Sequence, residues 1–245
     1  MTVWDSESRE RAPADLLATN SGLMNAARTG LYAALRLWLR SCWGYRVEGA
    51  EILRRTGNAV LIANHSSHVD TVALLAALPA RVRNRCYSAA AEDYFYGNPF
   101  RQLPARLFAN TFPFRRQGAD ARLSLEACGR ILARGDSLLL FPEGTRSVDG
   151  RLQRFRKGIG LLVQGTPHPV IPVGILGTSA VMGKGQWFPG PGRITLRVGE
   201  PVRFAEAGRD DETAIAIANE LHDRVARLIG ADPSADAPTA GDSDE

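Results

Sequence analysis

Two short apolar runs, at residues 59–63 and 137–141, constrain this chain more than any other feature. Both are uncharged, shorter than a core helix needs, and bounded by polar turns, so both read as buried strands. Further strands are predicted at 85–90, 169–176 and 193–198. Helical patterns fall between them, at 69–78, at 119–133 (closed by Gly135), at 158–164 and at 210–229, the last starting on Asp210 and ending before Gly230. The alternation implies an α/β fold: a single layered domain with a central mixed sheet covered by helices, preceded by an amphipathic N-terminal helix. The 245 residues suit one such domain and contain no internal repeat.

Four segments follow from the pattern. Residues 1–22 read as a flexible leader, polar and acidic rather than a signal peptide. Residues 23–43 read as the amphipathic helix. At about 100° per residue, Arg28, Arg36 and Arg40 fall within an arc of roughly 120°. Leu23, Ala27, Leu31, Ala34, Leu35, Leu37 and Trp38 cover the opposite side. Its longest uncharged run is far short of the ~18 residues of a spanning helix, so the expectation is a helix lying in a membrane surface; packing on the core is the alternative. Residues 44–230 form the main domain. Residues 231–245 carry five acids and no base, and read as a disordered acidic tail.

That tail masks the charge of the body. The whole chain is +4 with a pI near 9.2, yet without the tail 30 basic residues face 21 acidic ones. Only Lys157 and Lys184 are lysines. A basic, arginine-rich body suits a phosphate-bearing partner.

The chemistry sits in two turns, each just past a predicted strand, where ligands of open α/β sheets gather. The first is Asn64-His65-Ser66-Ser67-His68-Val69-Asp70. On one continuous helix His65 and Asp70 would point about 140° apart. They meet only if His65 lies in the turn and Asp70 in the first turn of the next helix. The carboxylate then holds one tautomer of the imidazole, and the other ring nitrogen is free to take a proton from a hydroxyl. The plainer alternative is Asp70 as a helix cap. His68 is assigned to packing or substrate contact.

The second turn is Phe141-Pro142-Glu143-Gly144-Thr145-Arg146-Ser147. Gly144 lets the backbone approach a ligand. Arg146 can grip a phosphate through two parallel bonds, each worth about 1.5–3 kcal/mol. Thr145 and Ser147 add hydroxyl donors, and Glu143 is expected to orient the arginine or a substrate hydroxyl. Downstream, Arg151, Arg154, Arg156 and Lys157 place four positive charges within seven residues, before a helix that opens at Gly158. Phe112-Pro113-Phe114-Arg115-Arg116 supplies another basic pair.

Other chemistries are excluded by their missing signatures. There is no Gly-x-Ser-x-Gly elbow, no His-Glu-x-x-His helix, no phosphate loop ending Gly-Lys-Ser/Thr and no dinucleotide fingerprint. Cys42, Cys86 and Cys128 are far apart, which argues against a disulfide framework or zinc site and for a reducing compartment. A nucleic-acid partner is not expected, because the basic stretch 151–157 interleaves only Phe155.

These residues resemble the glycerolipid acyltransferase family, the enzymes that make phosphatidate from 1-acyl-glycerol-3-phosphate. The family's Asn-His-x4-Asp block is similar to Asn64-His65 and Asp70, and its Phe-Pro-Glu-Gly-Thr-Arg-Ser block is matched in full at residues 141–147. A second block, a loop ending in arginine, is loosely similar to Phe112-Pro113-Phe114-Arg115, with Ala109 where a glycine is usual. Val170-Ile171-Pro172-Val173 and Phe155-Arg156-Lys157-Gly158 resemble two further blocks. The resemblance covers roughly residues 45–200. It implies that His65 deprotonates a glycerol hydroxyl while Asp70 holds the imidazole. The oxygen then attacks the thioester of acyl-CoA or acyl carrier protein directly, without an acyl-enzyme. Arg115, Glu143, Gly144, Thr145, Arg146 and Lys157 would hold the phosphate and head group. No metal or bound cofactor is implied; the acyl thioester is a co-substrate. The resemblance also implies a membrane partner and a peripheral or monotopic place on the cytoplasmic face of the cell membrane. Another lysophospholipid or a glycolipid hydroxyl is the alternative acceptor, and a non-catalytic anionic-lipid-binding domain the alternative class.

Overall fold

A computed structural model of the protein describes residues 22–91, 110–114, 119–183, 185–186 and 188–231. The leader before Gly22, the tail after Ala231, and Arg115 lie outside these residues. The chain begins α1 (Gly22–Trp43), β1 (Arg46–Glu48), α2 (Ala50–Arg55), β2 (Val60–Ala63), α3 (Val69–Ala77) and α4 (Ala80–Arg83). It continues β3 (Cys86–Ala91), β4 (Thr111–Phe114), α5 (Ala119–Ala133), β5 (Ser137–Leu140) and α6 (Gly158–Val163). It closes β6 (Val170–Leu176), α7 (Thr178–Met182), β7 (Thr195–Val198) and α8 (Asp211–Ile229).

The seven strands form one sheet in the order β1-β7-β6-β2-β5-β3-β4. Only β6 and β7 pair antiparallel; every other neighbour is parallel, so the sheet is mixed. The apolar runs at residues 59–63 and 137–141 hold the central strands β2 and β5, buried along their whole length. Their alternate side chains enter two cores. Leu61, Ala63 and Leu139 pack with Leu74 of α3 and Leu39 of α1. Val60, Ile62, Leu138 and Leu140 pack with Leu132 of α5, Ile159 of α6 and Leu221 of α8.

Helix boundaries follow local chemistry. The Asp210 side chain accepts a bond from the Thr213 N–H at the start of α8, and Gly230, at φ 75°, ends it. The small elements β1, α2, α4 and α7 were not foreseen, because none is long enough to show a period. Residues 112–114, expected as loop, lie in edge strand β4. An edge is where a sheet tolerates a proline, and Pro113 sits there opposite Ala90.

Helix α1 carries its polarity differently from the expected arrangement. Arg28 is buried rather than solvated. It shares the inward side with Tyr32, Leu39 and Trp43, and the Arg83 guanidinium stacks 4.8 Å from the Tyr32 ring centroid. Leu35 also packs on this core. The arginine side of the helix therefore overlaps its docking side. Leu23, Ala27, Ala34, Leu37 and Trp38 point outward. No helix among the described residues is long and apolar enough to cross a membrane.

Candidate active site

The sheet order explains why two turns far apart in sequence share one place. β2 and β5 are parallel neighbours, with Ile62 opposite Leu140. The turn after β2 and the loop after β5 thus leave the same edge side by side. β6, on the other flank of β2, ends at the same edge and leads into α7.

The turn after β2 is fixed from both ends. Asn64 spans to β6: its Nδ2 donates to the Ile175 carbonyl at 2.8 Å and its Oδ1 accepts from the Ile175 N–H at 2.7 Å. α3 begins at Val69, so Asp70 lies in its first turn and His65 precedes it. One carboxylate oxygen, Asp70 Oδ2, accepts from the Ser66 N–H at 2.7 Å and the Ser67 N–H at 2.8 Å, and meets His65 Nδ1 at 2.9 Å. Asp70 therefore both closes the turn and orients the ring. Its side chain is 0% exposed and that of His65 is 18% exposed. With Nδ1 engaged, Nε2 is the nitrogen left for substrate. The His65 ring also stacks on Phe141, with centroids 4.0 Å apart and planes 14° apart. An aromatic face against an imidazole fixes the ring plane.

The loop after β5 brackets the His65 peptide. Glu143 Oε1 accepts from the His65 N–H at 2.8 Å, and the Ser147 N–H donates to the His65 carbonyl at 2.8 Å. Glu143 is thus placed otherwise than expected. It is 3% exposed, and its Oε1 holds the His65 backbone rather than an arginine. Burial pushes its carboxyl up to about 8, against the pull of bonds from the His65 and Gln153 N–H groups, and Asp70 adds a smaller push in the same upward direction. Its Oε2 is buried without a partner.

The remaining expected residues divide. Arg146 is half-buried and Thr145 exposed on the same loop. Gly144 has φ 77°, a conformation suited to glycine. The Arg156 side chain lies directly over it: Nε is 2.6 Å from where a Cβ on Gly144 would sit, and donates to the Glu143 carbonyl at 3.4 Å. The Arg156 N–H also donates to the Pro142 carbonyl at 3.0 Å. Lys157, the expected member of this basic run, turns away to pair with Asp211 Oδ2 of α8 at 2.7 Å. Its neighbour Arg156 is the residue of the run that lies over Gly144. Sequence reasoning noted Arg156 as one charge in a run and as part of the 155–158 block, without a role of its own. Phe141 was noted only as part of a motif.

A proton acceptor with a fixed ring, set beside two guanidinium-bearing segments, can activate a hydroxyl on an anionic molecule. The sequence profile of the Acyltransferase family matches residues 44–176, more than half of the chain. This chain belongs to the Acyltransferase family. The chloroplastic 1-acyl-sn-glycerol-3-phosphate acyltransferase LPAT1 of Arabidopsis thaliana is 26% identical to this acyltransferase-family chain over 186 residues, covering 75% of this chain and 48% of that protein. The 1-acyl-sn-glycerol-3-phosphate acyltransferase alpha of Mus musculus is 28% identical over 196 residues, covering 78% of this chain and 67% of its own. The chain spans about half the length of the plant relatives it matches. The crystal structure of the 1-acyl-sn-glycerophosphate (LPA) acyltransferase PlsC from Thermotoga maritima shares the fold with a TM-score of 0.60 at 23% identity, over 93% of this chain and 84% of that one.

Proposed function

We propose that this member of the Acyltransferase family moves a fatty acyl group from acyl-CoA or acyl carrier protein to the free hydroxyl of 1-acyl-glycerol-3-phosphate, giving phosphatidate. The observation that carries this reading is the His65–Asp70 contact at 2.9 Å, in a turn whose His65 peptide is bonded by the very loop that bears Arg146. His65 Nε2 takes the hydroxyl proton as the oxygen attacks the thioester carbonyl. The new C–O bond forms, the C–S bond breaks, and the thiolate leaves with the proton from the imidazolium. General-base help of this kind contributes ~10²–10⁴ in rate. Arg146 and Arg156 receive the acceptor's phosphate.

The acceptor is an amphiphile, so the same reading places the chain at a membrane surface, through the outward Leu23, Leu37 and Trp38 of α1. A peripheral or monotopic position on the cytoplasmic face of the cell membrane belongs to this proposal. So does turnover without a bound cofactor.

The test is purified protein with labelled acyl-CoA or acyl carrier protein and a panel of lyso-lipids, scored by product. Acylated product forms fastest from the phosphomonoester acceptor, and His65→Ala lowers that rate by at least ~10² while lipid binding persists. Comparable rates on neutral acceptors, or near-normal turnover of His65→Ala, refute the reading.

A further inference from the structure

The loop between α7 and β7 presents the most exposed large apolar side chain among the described residues. Phe188 is 86% exposed, in a stretch that continues Pro189-Gly190-Pro191-Gly192. A phenyl ring standing free in water is costly relative to a buried one. The loop is not loosely attached. The Gly190 N–H donates to the Val181 carbonyl at 2.7 Å, and Trp43 Nε1 of α1 donates to the Gly190 carbonyl at 3.1 Å. The Trp43 ring meets Trp38 edge-on, with centroids 4.5 Å apart, and Trp38 belongs to the outward apolar side of α1. Phe188 therefore projects two residues from a seam that joins its loop to the helix face already assigned to lipid.

The two segments that meet at this seam carry charge of one sign. Residues 16–47 and 150–199 contain no Asp or Glu. Arg40 at the end of α1 and Arg193 just after the loop are both exposed, and the Arg193 stem lies 3.8 Å from the position of a Cβ on Gly44, the residue that follows α1. An exposed ring and exposed arginines on two joined segments that hold no acid complement an anionic bilayer: the ring enters the acyl region and the guanidiniums meet headgroups.

The same loop is coupled to the site. It emerges from α7, whose Met182 carbonyl accepts from Ser67 Oγ at 2.5 Å and whose Thr178 Oγ1 meets Ser66 Oγ at 3.2 Å. Ser66 and Ser67 are the residues that close onto Asp70. We propose that the 188–192 stretch is a second lipid-inserting element, with Phe188 entering an anionic bilayer beside α1 and Arg40 and Arg193 at headgroup level. Two contacts, one from α1 and one from this loop, fix the tilt of the domain and hold the His65 turn at the surface. The inference rests on the membrane-amphiphile reading above.

The experiment uses the full chain with vesicles of phosphatidylcholine and phosphatidylglycerol. Phe188→Asp lowers vesicle partitioning by about tenfold or more at unchanged melting temperature. Leu123→Ser, at an exposed leucine of α5, leaves it unchanged. In a Cys42→Ser background, Phe188→Cys carrying an environment-sensitive dye shifts to shorter wavelength on anionic vesicles. Full partitioning of Phe188→Asp together with an unshifted dye overturns the loop proposal. So does a change of oligomeric state in Phe188→Asp without vesicles, which would make the loop a contact between copies. A dye at Leu37→Cys distinguishes the two readings: a shift there with none at position 188 removes the loop and keeps the helix. Turnover of monomeric lysophosphatidate, measured without vesicles, tests the catalytic reading separately.

Discussion

The turn after β2 and the loop after β5 meet around His65 but manage their polar groups in opposite ways. In the turn, nearly every polar atom is directed inward. Asn64 binds Ile175 twice, and Asp70 Oδ2 serves two N–H groups and the imidazole. The loop sends one carboxylate inward, Glu143, and leaves its cations at the rim: Arg146 half-buried, Arg156 exposed over Gly144. A base must be held in one geometry, and buried bonds in low dielectric do that. A clamp for a mobile phosphate works with partly solvated guanidiniums, whose fork adapts to the anion. The difference separates a rigid half of the site from an adaptable half, and substitutions in the two halves have different signatures.

The largest effect is expected at the centre of the rigid half. Asp70→Asn keeps an acceptor for the Ser66 and Ser67 N–H groups but removes the charge opposite the imidazolium. Its kcat falls by ~10²–10⁴ with a folded protein and little change in acceptor KM. A KM effect alone would erase the distinction between the halves.

Glu143→Gln tests whether the loop's inward carboxyl is structural. The folded-state value is raised from 4.5 to about 8. The unfolded chain therefore releases this proton near pH 4.5, while the folded chain keeps it to about pH 8. Stability contributed by Glu143 is complete below pH 4.5 and is lost as pH rises through that window, by up to about 1.4 kcal/mol per pH unit. Glutamine keeps an acceptor for the His65 N–H and cannot ionise. The variant's stability relative to the parent should rise from pH 5 to pH 8 in urea unfolding; parallel pH profiles would remove this role.

In the adaptable half, Arg156→Ala should raise the KM for a phosphorylated acceptor about tenfold with kcat nearly intact, from the loss of charge-assisted bonds worth about 1.5–3 kcal/mol. An unchanged KM would return Arg156 to the solvated surface. The smallest effect is expected one residue on. Lys157 pairs with Asp211 in the open, with side chains 52% and 69% exposed. Lys157→Ala should cost under ~1 kcal/mol in thermal unfolding and leave the acceptor KM unchanged. A KM rise matching that of Arg156→Ala would put both cations in the clamp.

The sequence alone determined what depends on local pattern. Runs of apolar residues marked β2 and β5, helical period marked α3, α5 and α8, and the spacing of His65 and Asp70 let the pair meet only through a turn followed by a helix start. Motif identity gave the family, because those side chains recur in a fixed order. Tertiary structure decided whatever depends on a distant neighbour. The adjacency of β2 and β5 in the sheet, and not any feature of either turn, brings Glu143 to the His65 N–H across 78 residues. Which of Arg156 and Lys157 reaches the site depends on how the chain enters α6 beside α8, and a charge run looks the same either way. The docked side of α1 follows from the aromatic and cationic partners waiting on the domain, Arg83 under Tyr32 among them. The arginine spacing by itself pointed that side to water. Periodicity reports that a helix has two faces; burial is a property of pairs of surfaces, and only the folded chain supplies the second one.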